Sequence, residues 1–491
     1  MAAKMARGRA FKRARQPRGK NLFAAATIWK AMLVFAVLVA FTGGGSRDDI
    51  VSLVILRPAA MLFLAYGILA SSARDIRDFA PVIGFLCALA FFFAVQLIPL
   101  PPGIWQNLPG RELYAEVART AEVDNVWRPW TLSPSKTTNS LFALSVPLAA
   151  AFLYAALSAP NRQKVLYLIV AFAILNAIVG MAQMAGGLGD IFYFYRITSD
   201  GNPVGLFANR NHFAVMLAAS LPLISALLLR REVLQRLSRF SRDGAVAGQI
   251  LFVAIMIVFS IMVVISGSRA GVICLAFAVI WSSLILRLGT QPPKSRRSAL
   301  LAGRLAGWAS YIWIIPIVLT AAAAFFAFVS GRASAIDRLF SDNTNTMRFD
   351  ALPTVLEMAG AFFPFGSGMG TFANVYRQFE KDELLSPLYL NHAHNDWAQM
   401  IVEAGAIGGI VLLIPVVFLL TKCAKVVFQD KQRSKDRQIQ LALIGIVLVF
   451  MAASLVDYPV RVPSVMWVLT VCFCALLVGT VKQTIGVHDG R

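Results

Sequence analysis

Long apolar blocks separated by polar or basic connections dominate the chain. The first runs from Leu22 to Phe41. Others lie near residues 50–70, 79–98, 139–158, 165–184, 211–229, 248–265, 271–287, 307–329, 398–420, 439–456 and 463–481. A helix needs about 20 apolar residues to cross a bilayer, so the pattern predicts an all-α polytopic membrane protein with about twelve transmembrane helices. A signal peptide is the rival reading of the first block. Its length, and the lack of a small-x-small cleavage site before the next block, favour a retained span.

Composition agrees, since 491 residues at 58% hydrophobic and 14% charged exclude an ordinary water-soluble globule. The formal charge of +21 raises the possibility of a nucleic-acid partner, and its distribution removes it. With the N-terminus in the cytoplasm and sides alternating, the internal segments hold 30 Lys and Arg against 7 acids, and the external ones 14 against 17. The cationic excess is wholly cytoplasmic, as positive-inside orientation requires, and the basic loops at 230–242, 287–304 and 422–437 face membrane lipids. Residues 1–21 and 482–491 read as cytoplasmic tails around a membrane domain at 22–481.

External segments near 99–138, 185–210 and 330–397 exceed simple connections, and long connections are usually functional or disordered. Leu113, Val117 and Ala121 at helical spacing, and a helix expected over Ala351 to Phe363, suggest amphipathic pieces lying on the membrane surface. The five cysteines all lie in apolar blocks or at a cytoplasmic edge, so they imply no disulfide framework.

Candidate chemistry gathers where the last external segment re-enters an apolar block, at Asn391 to Gly409 (NHAHNDWAQMIVEAGAIGG). A helix capped near Asn395 places Asn395, Gln399 and Glu403 on one face, a polar stripe descending to Glu403. His392 and His394 stand just before it. Arg196, Arg210 beside Asn211, Arg269 in SGSRAG and Arg348 fall on the same side of the membrane. Lone arginines at such depths usually snorkel to the interface. Arg269, with almost no loop to carry it away from the bilayer edge, is a functional candidate. Arginines around one cavity suit a multiply anionic group, and a neutral histidine can take a proton from a hydroxyl.

Four pieces, GLFANRNHFA at Gly205 to Ala214, SGSRAG at Ser266 to Gly271, FGSGMGTF at Phe365 to Phe372 and HAHNDWAQMIVEAG at His392 to Gly405, resemble the bacterial O-antigen ligase and polymerase family of integral membrane glycosyltransferases. The resemblance covers roughly residues 196 to 480. It implies a GT-C-like helical membrane fold, a glycan donor carried on undecaprenyl pyrophosphate, a glycan or lipid-linked acceptor, and an active site facing the periplasm from the inner membrane. It further implies arginines on the pyrophosphate, a histidine near the attacked carbon, and neither metal nor nucleotide sugar. On this basis His394 and Arg269 are the expected catalytic residues. Arg196, Arg210, Asn211, Arg348, His392 and Glu403 are the expected substrate contacts, with either Arg196 or Arg210 as the earlier pyrophosphate arginine.

Three other signals point elsewhere. His392, His394 and Asp396 offer possible metal ligands, yet a zinc site wants three or four with an ordered second shell. Gly366, Gly368 and Gly370 lack the strand that precedes a phosphate-binding loop, so a sharp turn is expected. A flippase for lipid-linked glycans would favour ionisable groups near the bilayer midplane, and a protein O-oligosaccharyltransferase would use the same donor chemistry.

Overall fold

The computed structural model describes residues 25–185, 189–230, 244–289, 313–329, 350–385, 390–428 and 434–478. Both tails and residues 330–349, Arg348 among them, lie outside these residues. The helices are α1 (Ala25–Thr42), α2 (Leu53–Ala70), α3 (Ala73–Asp78), α4 (Ala80–Val95), α5 (Pro102–Trp105), α6 (Glu112–Thr120), α7 (Pro134–Ala143), α8 (Ser145–Ala156) and α9 (Ala159–Met184). Then come α10 (Arg210–Leu228), α11 (Gly244–Ile265), α12 (Arg269–Gly289), α13 (Ile315–Val329), α14 (Leu352–Ala361), α15 (Phe372–Phe379), α16 (Asp396–Phe428), α17 (Ser434–Ala453) and α18 (Pro463–Val478). The strands among the described residues are β1 (Pro99–Leu100) and β2 (Arg128–Pro129), an antiparallel pair that ties the 96–133 segment together.

Among the described residues, seven helical stretches are long and apolar enough to cross a membrane, with α7 and α8 joined as one. Five further apolar stretches of 10–17 residues occupy the remaining predicted blocks. The chain is an all-α polytopic membrane protein.

Small residues decide the centre. α10 is buried along its whole length, because Ala214, Ala218, Ala219 and Ser220 let neighbours approach without side-chain bulk. A Cβ on Gly271 of α12 would lie 2.4 Å from the Ala214 Cβ, and one on Gly289 2.2 Å from Leu229, so the two helices run parallel and close throughout.

Connections alternate between the two ends. At one end the Ala208 N–H donates to the Gly44 carbonyl (3.1 Å), Ser464 N–H to Gly43 (2.9 Å), and Leu132 N–H to Ser367 (2.9 Å). At the other, Ser71 Oγ donates to the Phe152 carbonyl (3.2 Å) and Arg162 faces Asp75 (3.8 Å). The described segments carrying candidate chemistry belong to the first end.

The expected amphipathic pieces both form as helices. In α6 the small Ala115 and Ala118 turn inward while Leu113 and Val117 are 52% and 58% exposed. α14 does not lie free on the surface; Val355 and Met358 pack with Phe372, Tyr376 and Val402 into a small core over the start of α16.

α16 is broken at Gly405 (φ 56°, ψ −136°), a conformation that costs glycine little and other residues much. The break interrupts the helical ladder, and the glycine-rich turn after Phe365 supplies the missing partners. Ser367 and Gly368 N–H donate to the carbonyls of Val402 and Glu403, both at 2.9 Å, and Ala406 N–H donates to Pro364 at 2.9 Å. A Cβ on Gly405 would meet the Pro364 oxygen at 2.1 Å, so backbone lies on backbone here. The sharp-turn reading of the three glycines holds, and the turn's task is to seat the kink.

Candidate active site

The kink fixes Glu403 about two turns below the entry of α16, and the entry itself is capped as its sequence predicts. Asn395 Oδ1 accepts from the Ala398 N–H at 3.0 Å. Below it Gln399 Nε2 donates to Glu403 Oε1 at 2.8 Å, and Gln399 Oε1 accepts from the Ala393 N–H at 3.0 Å. The polar stripe thus forms as one hydrogen-bonded column that anchors the histidine loop from beneath.

His394 takes a left-handed backbone (φ 49°), rare for a residue with a side chain, which turns its ring toward the connection between α17 and α18. There Nδ1 lies 3.1 Å from Asp457 Oδ1. Asp457 is 1% exposed. It also accepts from Asn211 Nδ2 at 2.6 Å and from the Tyr458 N–H at 3.0 Å. A carboxylate is an acceptor only, so Nδ1 carries the proton and the basic lone pair is on Nε2. Tyr458 forms a common wall, with ring centroids 4.3 Å from His392, 4.8 Å from His394 and 5.2 Å from His212. Burial, with Arg461 and His394 adding positive charge nearby, holds His392 well below the ordinary imidazole value of 6.5.

A second ionic group stands beside the first. Arg461 Nε donates to Asp396 Oδ1 at 3.1 Å and Nη2 to Glu403 Oε2 at 3.2 Å. Ser454 Oγ (3.1 Å) and the Val460 N–H (3.3 Å) satisfy the other Asp396 oxygen. Glu403 is 0% exposed, and its Oε1 also accepts from the Phe372 N–H at 3.3 Å. The sequence reading expects Glu403 to touch substrate. In the structure its oxygens are occupied by Arg461, Gln399 and Phe372, because a carboxylate at that depth needs paired charge and donors. Asp396 is likewise turned to Arg461, away from a ligand set with the histidines. Among the described residues no group of three or more His, Cys, Asp or Glu is arranged to hold a metal ion.

Of the predicted residues, His392, His394, Asn211 and Glu403 come together. Arg210 and Arg269 open α10 and α12, which pack against each other, and Arg210 Nη1 donates to Asn202 at 3.2 Å. Arg196 is exposed and acts electrostatically on Asp49. Arg348 lies outside the described residues. Asp457, Tyr458 and Arg461 are absent from the sequence-derived set. Their signal is available nonetheless, as an acid and a base in a connection of under ten residues between two apolar blocks, the criterion that singles out Arg269.

Beside the histidine loop opens a cavity of about 460 Å3. Its polar end includes Arg47, Arg57, Lys136, His392, Asp396 and Arg461, and below them its walls are apolar side chains of α2, α4, α16, α17 and α18. Arg196, Arg210 and Arg269 do not line it.

No curated protein matches the chain. Residues 253–413, from within α11 to within α16 and including His392 and His394, match the family model described as O-antigen ligase.

Proposed function

We propose that the protein is a glycosyltransferase that moves a glycan from undecaprenyl pyrophosphate to an acceptor hydroxyl at the periplasmic face of the inner membrane. The observation that carries this reading is the His394–Asp457 pair, a base oriented by a buried carboxylate that is itself fixed by Asn211 and the Tyr458 N–H.

In the proposed reaction Nε2 of His394 takes the proton of the acceptor hydroxyl. The freed oxygen forms a bond to the anomeric carbon of the donor while the bond from that carbon to the pyrophosphate oxygen breaks. The electron pair leaves with pyrophosphate. Arg269, with Arg210 or Arg196, supplies positive charge to the leaving group, and Arg348 belongs to the same candidate set. Fixed guanidinium groups meet this demand without a divalent ion.

The test is to replace His394 with Ala and follow both surface glycan and its lipid-linked precursor. The reading predicts loss of transfer with precursor accumulating on the outer leaflet. Precursor trapped on the inner leaflet would instead identify a flippase. Transfer by purified protein should persist in EDTA; turnover lost there and restored by one metal would overturn the metal-free scheme. Arg269→Ala should weaken donor binding as well as turnover, and Arg269→Lys should recover only part, because a point charge lacks the planar fork.

A further inference from the structure

His392 has no task in the proposed chemistry, and its surroundings fix where its proton sits. Gln399 is the reason. Its Oε1 accepts from the Ala393 N–H at 3.0 Å and its Nε2 donates to Glu403 Oε1 at 2.8 Å. Turning the amide over would set its NH2 against a backbone N–H and its oxygen against a carboxylate, so the two ends cannot be exchanged. Gln399 Nε2 has a second hydrogen, and His392 Nδ1 lies 3.4 Å from that nitrogen. The contact is long, yet a proton on Nδ1 would turn it into donor against donor. Nδ1 is therefore the acceptor, and the single proton of neutral His392 is on Nε2.

His394 is held the other way, with its Nδ1 proton on Asp457 at 3.1 Å and its Nε2 basic. The loop thus sets a ring that donates at Nε2 beside one that accepts there. Both pack on Tyr458, with centroids at 4.3 and 4.8 Å, which brings them within the span of one sugar residue. His392 is half-buried and lines the cavity, and its Nε2 has no hydrogen-bond partner among the described residues. A ring placed only to pack on Tyr458 needs no fixed proton. A neutral N–H also suits an uncharged oxygen: pyrophosphate calls for guanidinium forks, whereas a sugar hydroxyl is oriented by single, well-placed donors and acceptors. The sugar that reaches His394 is the acceptor, and His392 stands beside His394.

We infer that the acceptor is a sugar, and that His392, held by Gln399 with its proton on Nε2, donates a hydrogen bond to an oxygen of it adjacent to the hydroxyl that His394 deprotonates. Gln399 is the positioning residue. The inference rests on His394 as the proposed base, but the proton positions are read without turnover. Nitrogen NMR of the full-length protein in phospholipid nanodiscs, with isotopically labelled histidine, reports each ring nitrogen as protonated or bare. The chain has four histidines, and His392→Phe and His394→Ala assign the two signals by removing them. The expected result is a proton on Nε2 of His392 and on Nδ1 of His394. Gln399→Glu still accepts from Ala393 but turns an acceptor toward His392, so it should move that ring's proton to Nδ1. Should that variant fail to fold, the wild-type spectrum decides. Methyl β-glucoside should shift the His392 Nε2 signal to saturation, and inorganic pyrophosphate should not. His392→Phe should slow transfer in native membranes by roughly two- to tenfold, the value of one neutral hydrogen bond, with affinity for the polyprenyl-pyrophosphate-linked donor unchanged. His392→Gln, whose amide N–H reaches the place of the Nε2 proton, should recover most of that loss. A proton on Nδ1 of wild-type His392, a signal moved by pyrophosphate and not by the glucoside, or wild-type transfer in His392→Phe would each overturn the inference. A fall in donor affinity matching the fall in rate would do the same, by placing the contact on the donor. Transfer that depends on His394 without a glucoside shift at His392 would remove this contact alone. A glucoside shift with wild-type transfer in His394→Ala would remove the proposed base and leave His392 as a sugar contact.

Discussion

Two ionic groups stand side by side at the entry of α16, and they differ in what their cations can do. In the first, Asp457 faces a histidine, whose ring can gain or lose a proton near neutral pH. In the second, Asp396 and Glu403 share Arg461, a permanently charged fork. The Asp457 carboxylate is held by Asn211 and the Tyr458 N–H, so its own position is fixed before it orients His394. The other two carboxylates have supports of their own as well, Ser454 and the Val460 N–H for Asp396, Gln399 and the Phe372 N–H for Glu403. A carboxylate facing a titratable ring can set the geometry of a base, whereas carboxylates facing a permanently charged guanidinium fasten the structure together. The first group is accordingly assigned to chemistry and the second to stability.

The largest expected effect separates these assignments. His394→Ala should lower the transfer rate by roughly 10²- to 10⁴-fold, the usual contribution of a general base, with donor affinity and thermal stability near those of the wild type. Single-turnover transfer and thermal unfolding in nanodiscs read both quantities. Arg461→Ala should reverse the pattern. It leaves two buried carboxylates without their cation, a loss of about 3–5 kcal/mol for a broken buried pair, seen as a lowered Tm even without substrate. A Tm unchanged in that variant would dissolve the distinction.

Asp457→Asn comes next, because it keeps the shape and removes the charge that orients His394. Hydrogen bonds to charged groups contribute about 1.5–3 kcal/mol, so turnover should fall roughly ten- to a hundredfold. Gly405→Ala tests the frame that both groups share. A left-handed backbone with a side chain costs about 1–3 kcal/mol, and the Pro364 oxygen 2.1 Å from the new Cβ adds to it. The expected result is a lower Tm and weaker retention of both groups. The smallest effect is acid sensitivity. Unfolded His392 takes up a proton as pH falls through about 6.5 while the folded residue resists. The unfolded chain then binds more protons, so stability declines below that pH by at most about 1.4 kcal/mol per pH unit and is flat above it. His392→Gln should flatten the acid side of a plot of Tm against pH.

Much of this arrangement was legible in the sequence where it depends on local spacing. The Asn395 cap and the Asn395–Gln399–Glu403 column follow from a helical repeat of 3.6, and the apolar blocks follow from bilayer thickness. What the sequence hid depends on contacts between distant segments. Asp457 meets His394 across 63 residues and Asn211 across 246, and no local periodicity encodes either meeting. Glu403 shows the same limit from the other direction. Its stripe position predicts depth correctly, but only the fold reveals that Arg461 and the Phe372 N–H occupy its oxygens.

The central claim is that His394 and Asp457 act as one unit, and a double-mutant cycle on single-turnover transfer tests it most directly. With His394 removed there is no ring for Asp457 to orient. His394→Ala combined with Asp457→Asn should therefore be no slower than His394→Ala alone, within about twofold, with donor affinity unchanged in all three variants. Losses that multiply across the two substitutions would show that Asp457 acts elsewhere, and would contradict the pairing on which the proposed mechanism rests.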